Sequence, residues 1–427
     1  MDARRLVELS PEERSAIVDR DAGIEEIRED VEAIVDRVHA GGDAALLHYT
    51  EEFDGVAQEE IDITDRAAAA VSDLDPDIRK AIDRAAENIQ KFHERQLPED
   101  WRMATDGREL GRRFRPIERV GVYVPGGTAA YPSSALMGII PAVVAGVDRV
   151  VVATPPAAEP NPITLAAIHL AGADRVYAAG GAQSIAALAY GTESVEAVDK
   201  VVGPGNRWVT AAKAVVQGDV AIDFLAGPSE ILVIADESAD PGYVAADMVA
   251  QAEHDPATSV VTVSPDPDLA QEIVQEINRQ VDDRTRADII REAIENDASG
   301  VFVTDTMNEA IKFAEEYAAE HLSIQATADE EILEQIDSAG SVFLGPFTPV
   351  AAGDYASGTN HVLPTGGAAK VTGGLSVDTF LRASTVQRLE SSALGELRDT
   401  ITTLAGAEGL EAHAASVDAR FPHRRQD

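Results

Sequence analysis

The chain has 427 residues, 45% of them hydrophobic, which is more than one small core needs and suggests two or more domains. Its 75 acidic residues against 35 basic ones give a formal charge of −40, which argues against nucleic-acid backbones and anionic membranes as partners. There is no cysteine, so disulfides, thiolate metal sites and thiol nucleophiles are excluded.

The first residues, MDARRLVELSPEERS, contain no apolar signal core. The longest apolar run, Leu136–Val147, is too short to cross a bilayer and contains Pro141. A soluble cytoplasmic protein is therefore expected. Asp and Glu are spread over the whole chain and only six lysines are present, so Arg carries the positive charge. A globally acidic, Lys-poor surface fits a halophilic protein, in which concentrated salt screens self-repulsion.

Residues up to about 100 read as helix. IEEIREDVEAIVDRVHA places Ile24, Ile27, Val31, Ile34, Val35 and Val38 at helical spacing, and DIRKAIDRAAENIQKFHERQ repeats the pattern. From Val120 onward short β-branched runs alternate with Ala-rich helical stretches. The runs cover 120–124, 149–154, 175–180, 200–205, 220–227, 230–236, 259–264, 300–305, 322–327 and 341–345. Asn161-Pro162, Asp240-Pro241 and Asp266-Pro267 each put a cap residue before Pro at a helix start. This alternation predicts two parallel-sheet α/β units that divide near Phe224–Val233. The stretch 345–374 reads as a long Gly-rich functional loop, and 376–427 as helices with little core of their own.

Glycines cluster where parallel strands hand over to helices: VPGGTAAYPSS (124–134), AGGAQSIAAL (179–188) and VGPGNRWVTAAK (202–213). Such junctions offer backbone N–H groups to phosphates, although no intact G-x-G-x-x-G is present, and each cluster could equally be a tight turn. MVAQAEHD puts Gln251 and His254 three residues apart, which is one face of a helix and equally an ordinary wet helix end. With Asp354 from the loop and His413 from AEGLEAHAAS, they make a plausible thiolate-free Zn²⁺ shell if the chain brings them together. In EEYAAEHLSI, Glu320 and His321 are adjacent at a helix end before a strand and suit proton transfer near neutral pH, or simply a solvated helix terminus.

Taken together, VGVYVPGGTAAYPSS, GGAQSIAALAYGT, VVGPGNRWVTAAK, DFLAGPSEILVIAD, AQAEH, AEHLSI, GDYASGTNHVLPTGG and AEGLEAH resemble histidinol dehydrogenases, in that family's order, from about Ile24 to Val417. The resemblance implies two Rossmann-like parallel-sheet domains of aldehyde-dehydrogenase-like type with helical N- and C-terminal segments. The expected division is an N-terminal segment 1–20, a larger domain of 21–120 with 231–375, an NAD-contacting domain 121–230, and a tail 376–427. The implied activity is oxidation of L-histidinol through L-histidinal to L-histidine with two NAD⁺, the last step of histidine biosynthesis.

Carried over residue by residue, the metal ligands are Gln251, His254, Asp354 and His413, and the acid–base pair is Glu320 and His321. Tyr123, Gln183 and Asn206 match NAD contacts. Ser229, His361 and Glu408 match substrate contacts, to which His321 and the metal ligands also belong. The family is a homodimer whose C-terminal segment reaches the neighbour's site, so Glu408 and His413 would act in trans. One departure is Ala319, where the family has Pro before the Glu-His pair; Ala should let the helix run closer to Glu320. Two other readings are a dehydrogenase of another amino alcohol and a non-catalytic nucleotide-binding or metabolite-binding protein. Counting NADH formed per histidinol separates the three.

Overall fold

The computed structural model describes residues 1–20, 22–126, 130–158 and 160–421; Gly127 of the first glycine cluster lies outside the described residues. All ten β-branched runs contain strands; in the central ones Val and Ile at successive positions are buried on both faces, as a sheet covered by helices on both sides requires, while the edge strands Ala221–Ile222 and Ser341–Leu344 are less covered. Two parallel sheets result. In the first, Arg175–Ala178, Arg149–Thr154, Arg119–Tyr123, Lys200–Val202 and Ala221–Ile222 lie side by side in that order. In the second the order is Ala3–Arg5, Gly300–Val303, Ser259–Ser264, Glu230–Ala235, His321–Gln325 and Ser341–Leu344.

Each sheet has one point where the strand order reverses. In the first it lies between Arg119–Tyr123 and Lys200–Val202, and in the second between Glu230–Ala235 and His321–Gln325. Asn161, Asp240 and Asp266 cap their helices as expected, each accepting two backbone N–H bonds ahead of a Pro. The helix Arg28–Asp54, interrupted by Gly42 at φ +56°, packs on the helices Gly181–Tyr190 and Arg207–Val216 of the first sheet. The sequence reading grouped it with 231–375 instead. Its apolar stripe of Val31, Ile34, Val35 and Val38 is buried in the first sheet's core with Ile185 and Leu188.

The loop 345–374 is less irregular than expected. It contains a short helix, Val350–Tyr355, and a 3-10 turn, Ala368–Lys370. Residues 1–20 also hold more than helix: Ala3–Arg5 adds an edge strand to the second sheet, and Pro11–Val18 follows as a helix with a complete capping box on Ser10 and Glu13.

Residues 1–96 and 117–380 make one compact unit, and residues 97–116 with 381–427 a second. The second unit has a three-stranded antiparallel sheet in the order Leu381–Leu389, Arg108–Pro116, Trp101–Thr105. The Asp106-Gly107 turn, with φ of +50° and +70°, closes its hairpin. The helices Ser391–Ala407 and Glu411–Asp418 pack on each other and are tied by Arg398 to Asp418 at 2.7 Å. The tail was expected to be helical throughout; LRASTVQRL is a strand that the hydropathy pattern hides, because polar residues fill both of its faces. This unit carries eleven arginines against eleven carboxylate residues, so the whole charge excess of −40 falls on the other unit. Among the described residues no helix is long and apolar enough to cross a membrane.

Candidate active site

The reversal point of the first sheet opens on a cleft of about 1120 Å³, and Tyr123, Gln183 and Asn206 all line it. Tyr123 ends its strand, and its hydroxyl accepts the Gly181 N–H at 3.3 Å. Burial pushes its pKa up. The amide of Gln183 donates to Asp54 Oδ2 at 3.4 Å. Asn206 caps the helix Arg207–Val216, its Oδ1 accepting from Trp208 and Val209, which leaves its Nδ2 for a ligand. Gly203 sets the approach of these segments. It stands at φ +111°, and a Cβ there would sit 2.3 Å from the Tyr123 carbonyl oxygen. Beneath it the buried Lys213–Asp223 ion pair fixes the turn: Lys213 Nζ donates to the Gly203 carbonyl at 3.2 Å and Asp223 accepts the Gly203 N–H at 2.9 Å. Asp54, which the sequence reading passed over, also lines the cleft. Burial raises its pKa to about 6.

The second candidate region lies at the amino edge of the second sheet, again at its reversal point. Open α/β sheets commonly bind ligands at the carboxyl edge. Glu320 does not close a helix. The helix Met307–Tyr317 stops at Ala318, which takes φ +51°, and Ala319 and Glu320 pass their carbonyls to Gly340 and Ser341 at 2.9 Å each. The expected run of helix toward Glu320 does not occur, because sheet pairing claims the backbone first.

Glu320 and His321 are both buried, with Glu320 Oε2 at 3.5 Å from His321 Nδ1. The Glu230 N–H donates to Glu320 Oε2 at 2.8 Å, and the Glu230 carbonyl lies 3.0 Å from His321 Nδ1. A carbonyl can only accept, so Nδ1 carries a proton and Nε2 is turned toward Asp354. Nε2 has no hydrogen-bond partner and stands 3.4 Å from Asp354 Oδ1. Burial raises Glu320. Burial alone would lower His321, but the flanking Glu320 and Asp354 carboxylates raise it well above the usual imidazole value.

Asp354 sits on the short helix Val350–Tyr355. Burial would raise its pKa, but the imidazoles around it, His321 above all, hold it lower. Gln251 is in the last turn of Pro241–Ala252, and its amide donates to Asp354 Oδ2 at 3.4 Å. His254 is not on the same helix face as the spacing predicted. The helix ends at Ala252, and His254 lies in the following turn, held by its N–H to the Gln251 carbonyl at 3.1 Å. It is exposed at the surface, yet desolvation by the protein packed around it pushes its pKa down against the pull of Asp354. His361 leans on the same carboxylate-bearing helix, its Nδ1 bonding the Asp354 carbonyl at 2.8 Å and its Nε2 meeting Ser134 Oγ at 3.2 Å. Ser229 is half-buried directly before Glu230. Glu408 and His413 belong to the second unit and are exposed there.

Within one unit the chain therefore gathers Gln251, His254, Glu320, His321, Asp354 and His361, which are separated by up to 110 positions in sequence. Among the described residues no group of three or more His, Cys, Asp or Glu side chains is arranged to hold a metal. The donors nevertheless suit a cation: Gln251 Oε1 is buried with no hydrogen-bond partner, beside a carboxylate and an imidazole. Three residues of this region escaped the sequence reading. Ser134 carries no local signal. Glu230 and Arg20, paired at 2.8 Å, are ordinary charged residues in the sequence, and only the fold buries them.

Two parallel sheets, one with a reversal-point cleft and the other with a buried carboxylate–imidazole pair, define an α/β enzyme equipped for proton transfer. A family profile described as histidinol dehydrogenase matches residues 18–421. The chain belongs to the histidinol dehydrogenase family, an oxidoreductase family of histidine biosynthesis. It is 66% identical over 421 residues to the histidinol dehydrogenase of Haloarcula marismortui, covering 99% of this chain and 100% of that one. It is 46% identical over 427 residues to that of Methanocaldococcus jannaschii, covering 99% of both. The crystal structure of histidinol dehydrogenase from Elizabethkingia anophelis superposes with a TM-score of 0.92 at 38% identity, covering 97% of this chain and 96% of that one.

Proposed function

We propose that the chain oxidises L-histidinol through L-histidinal to L-histidine with two NAD⁺ and a zinc ion, as a cytoplasmic homodimer. The observation that carries this reading is the contact of Glu320, Asp354 and His361 around His321, with His254 close enough to feel Asp354 and His321, in a chain of this family. Gln251, His254 and Asp354 would hold the zinc, with His413 of a second copy as the fourth ligand. When bound, zinc would supply a Lewis acid that grips the amino alcohol, and NAD⁺ would supply the hydride acceptor.

His321 Nε2 takes the carbinol proton as hydride leaves, because Nδ1 is committed to the Glu230 carbonyl. Asp354 and Glu320 flank the imidazole that handles this proton, and Asp354 is also one of the residues that would hold the metal. With no cysteine to form a thiohemiacetal, the aldehyde must be oxidised as its hydrate. Glu320 is the general base for that water; its burial raises its proton affinity toward the working pH. Ser229, His361 and Glu408 contact substrate, and Tyr123, Gln183 and Asn206 contact NAD in the cleft.

Two features of the second unit support exchange between copies. Its surface exposes Trp101, Met103 and Leu110, and it is charge-balanced beside a unit of charge −40. A face that meets protein in place of salt water has no use for excess carboxylates. The test is stoichiometric: with histidinol, zinc and excess NAD⁺ in high salt, two NADH per histidinol are expected. One would mean a simple alcohol dehydrogenase, and none with retained NAD binding would mean a binding protein.

A further inference from the structure

Glu230 touches the Glu320–His321 pair with every polar group it has. Its N–H donates to Glu320 Oε2, its carbonyl receives His321 Nδ1, and its own Oε2 accepts the Glu320 N–H at 3.4 Å. The backbone contacts come with the sheet, since the Glu230 and His321 strands are neighbours at their reversal point. The carboxylate contact does not. Strand pairing on this side begins with His321 opposite Ile231, so Glu320 stands before the ladder and its N–H is held by the Glu230 side chain.

That side chain is itself held from three directions. The Arg20 guanidinium forks onto both of its oxygens at 2.8 and 3.0 Å, and Gly366 donates its N–H to Oε1 at 2.6 Å. Arg20 is locked in turn: it donates to the carbonyls of Ile17, Val18 and Tyr317, and lies 3.6 Å over the Tyr317 ring. The two side chains are only 8% and 2% exposed. Gly366 belongs to the loop that carries His361, so one carboxylate ties the acid–base pair, the substrate loop and the N-terminal segment together. Without Arg20, the buried Glu230 carboxylate would lose its cation while lying close to that of Glu320.

We infer that Glu230, fixed by Arg20, is a positioning residue that aims Glu320 and His321 for proton transfer. This rests on the reading of that pair as the acid–base machinery. The alternative is a staple that only holds the N-terminal helix to the sheet.

The experiment is a kinetic cycle on the full chain with Glu230→Gln, His321→Asn and the double variant, measured in high salt with zinc and with native circular dichroism checked for each. Glu230→Gln keeps the size of the side chain but breaks the charged fork. Its kcat is expected to fall roughly tenfold or more, with KM for NAD⁺ and histidinol within about twofold of the parent, because misaimed groups cost rate before binding. Deuterium at the carbinol carbon is expected to slow kcat more in Glu230→Gln than in the parent, since chemistry becomes limiting. In the His321→Asn background, where loss of the carbinol base makes the first oxidation limiting and hides Glu320, Glu230→Gln is expected to cost no more than about twofold in histidinol oxidation. An equal loss in both backgrounds overturns the positioning role and leaves a staple. A fully active His321→Asn overturns the acid–base reading instead, so the two failures are distinct. Should Glu230→Gln not fold, Arg20→Lys, which keeps the charge and loses the fork, is put through the same cycle with the same expected and overturning outcomes.

Discussion

Asp54 shows how one side chain can report on the cleft. Burial raises it to about 6, above its value in the unfolded chain, so between those values the native protein holds a proton that the unfolded chain has released. Stability therefore falls as pH rises through that window and stays lower above it. Asp54→Asn removes the penalty, and its melting temperature is expected to gain on the parent as pH rises from the ordinary value of 3.8 to about 6, with the gap level above that. A constant gap across that range would mean that Asp54 is not desolvated. For the chemistry, Glu320→Gln is expected to slow oxidation of histidinal more than oxidation of histidinol, by roughly a hundredfold or more. Equal loss in the two half-reactions would remove Glu320 from the water-activating role. The sequence exposed Glu320, His321, Gln251, His254, Asp354 and His361 because unusual side chains stood in bland or glycine-rich surroundings. Glu230 and Arg20 stayed hidden because each is an ordinary charged residue until the fold buries them against each other across 210 positions.

Strands were the most legible elements, because full burial on both faces writes itself as unbroken runs of Val and Ile. The strands that escaped, Ala3–Arg5, Trp101–Thr105, Arg108–Pro116 and Leu381–Leu389, are rich in Arg and largely exposed, so they lack that signature. Helix ends were legible where a cap residue preceded Pro, and less so at Ala318, whose left-handed turn no glycine or asparagine announces. The turn at Gly203 offers a test at this scale. Gly203→Ala would need a strained backbone and a Cβ 2.3 Å from the Tyr123 carbonyl oxygen. A loss of about 1–3 kcal/mol in stability is expected, together with weaker NAD⁺ binding measured by calorimetry. Unchanged affinity in a destabilised variant would detach this turn from the cofactor cleft.

For the whole molecule, the distribution of charge and the proposed exchange between copies each give a prediction. With the entire excess of −40 on one unit, repulsion in that unit should dominate below about 0.1 M salt, where it extends beyond about 10 Å. The melting temperature is expected to climb steeply toward molar salt; an unchanged value would refute the salt-adapted reading. For the exchange, inactive Glu320→Gln and inactive His413→Ala chains are to be co-refolded in equal amounts. If His413 serves a second copy, half the dimers are mixed and one of their two sites is whole, so about a quarter of parental activity returns. If it serves its own chain, none returns.

The edge strand Ala3–Arg5 carries a consequence for synthesis. Its partners Val301–Val303 follow almost three hundred residues later, and Arg20 likewise waits for Glu230 and Tyr317. At ordinary translation speeds the nascent amino terminus spends about 15–60 s outside the ribosome with no neighbour to join. A segment made early is thus among the last to be sewn in, and the surroundings of Glu230 stay unfinished until it is.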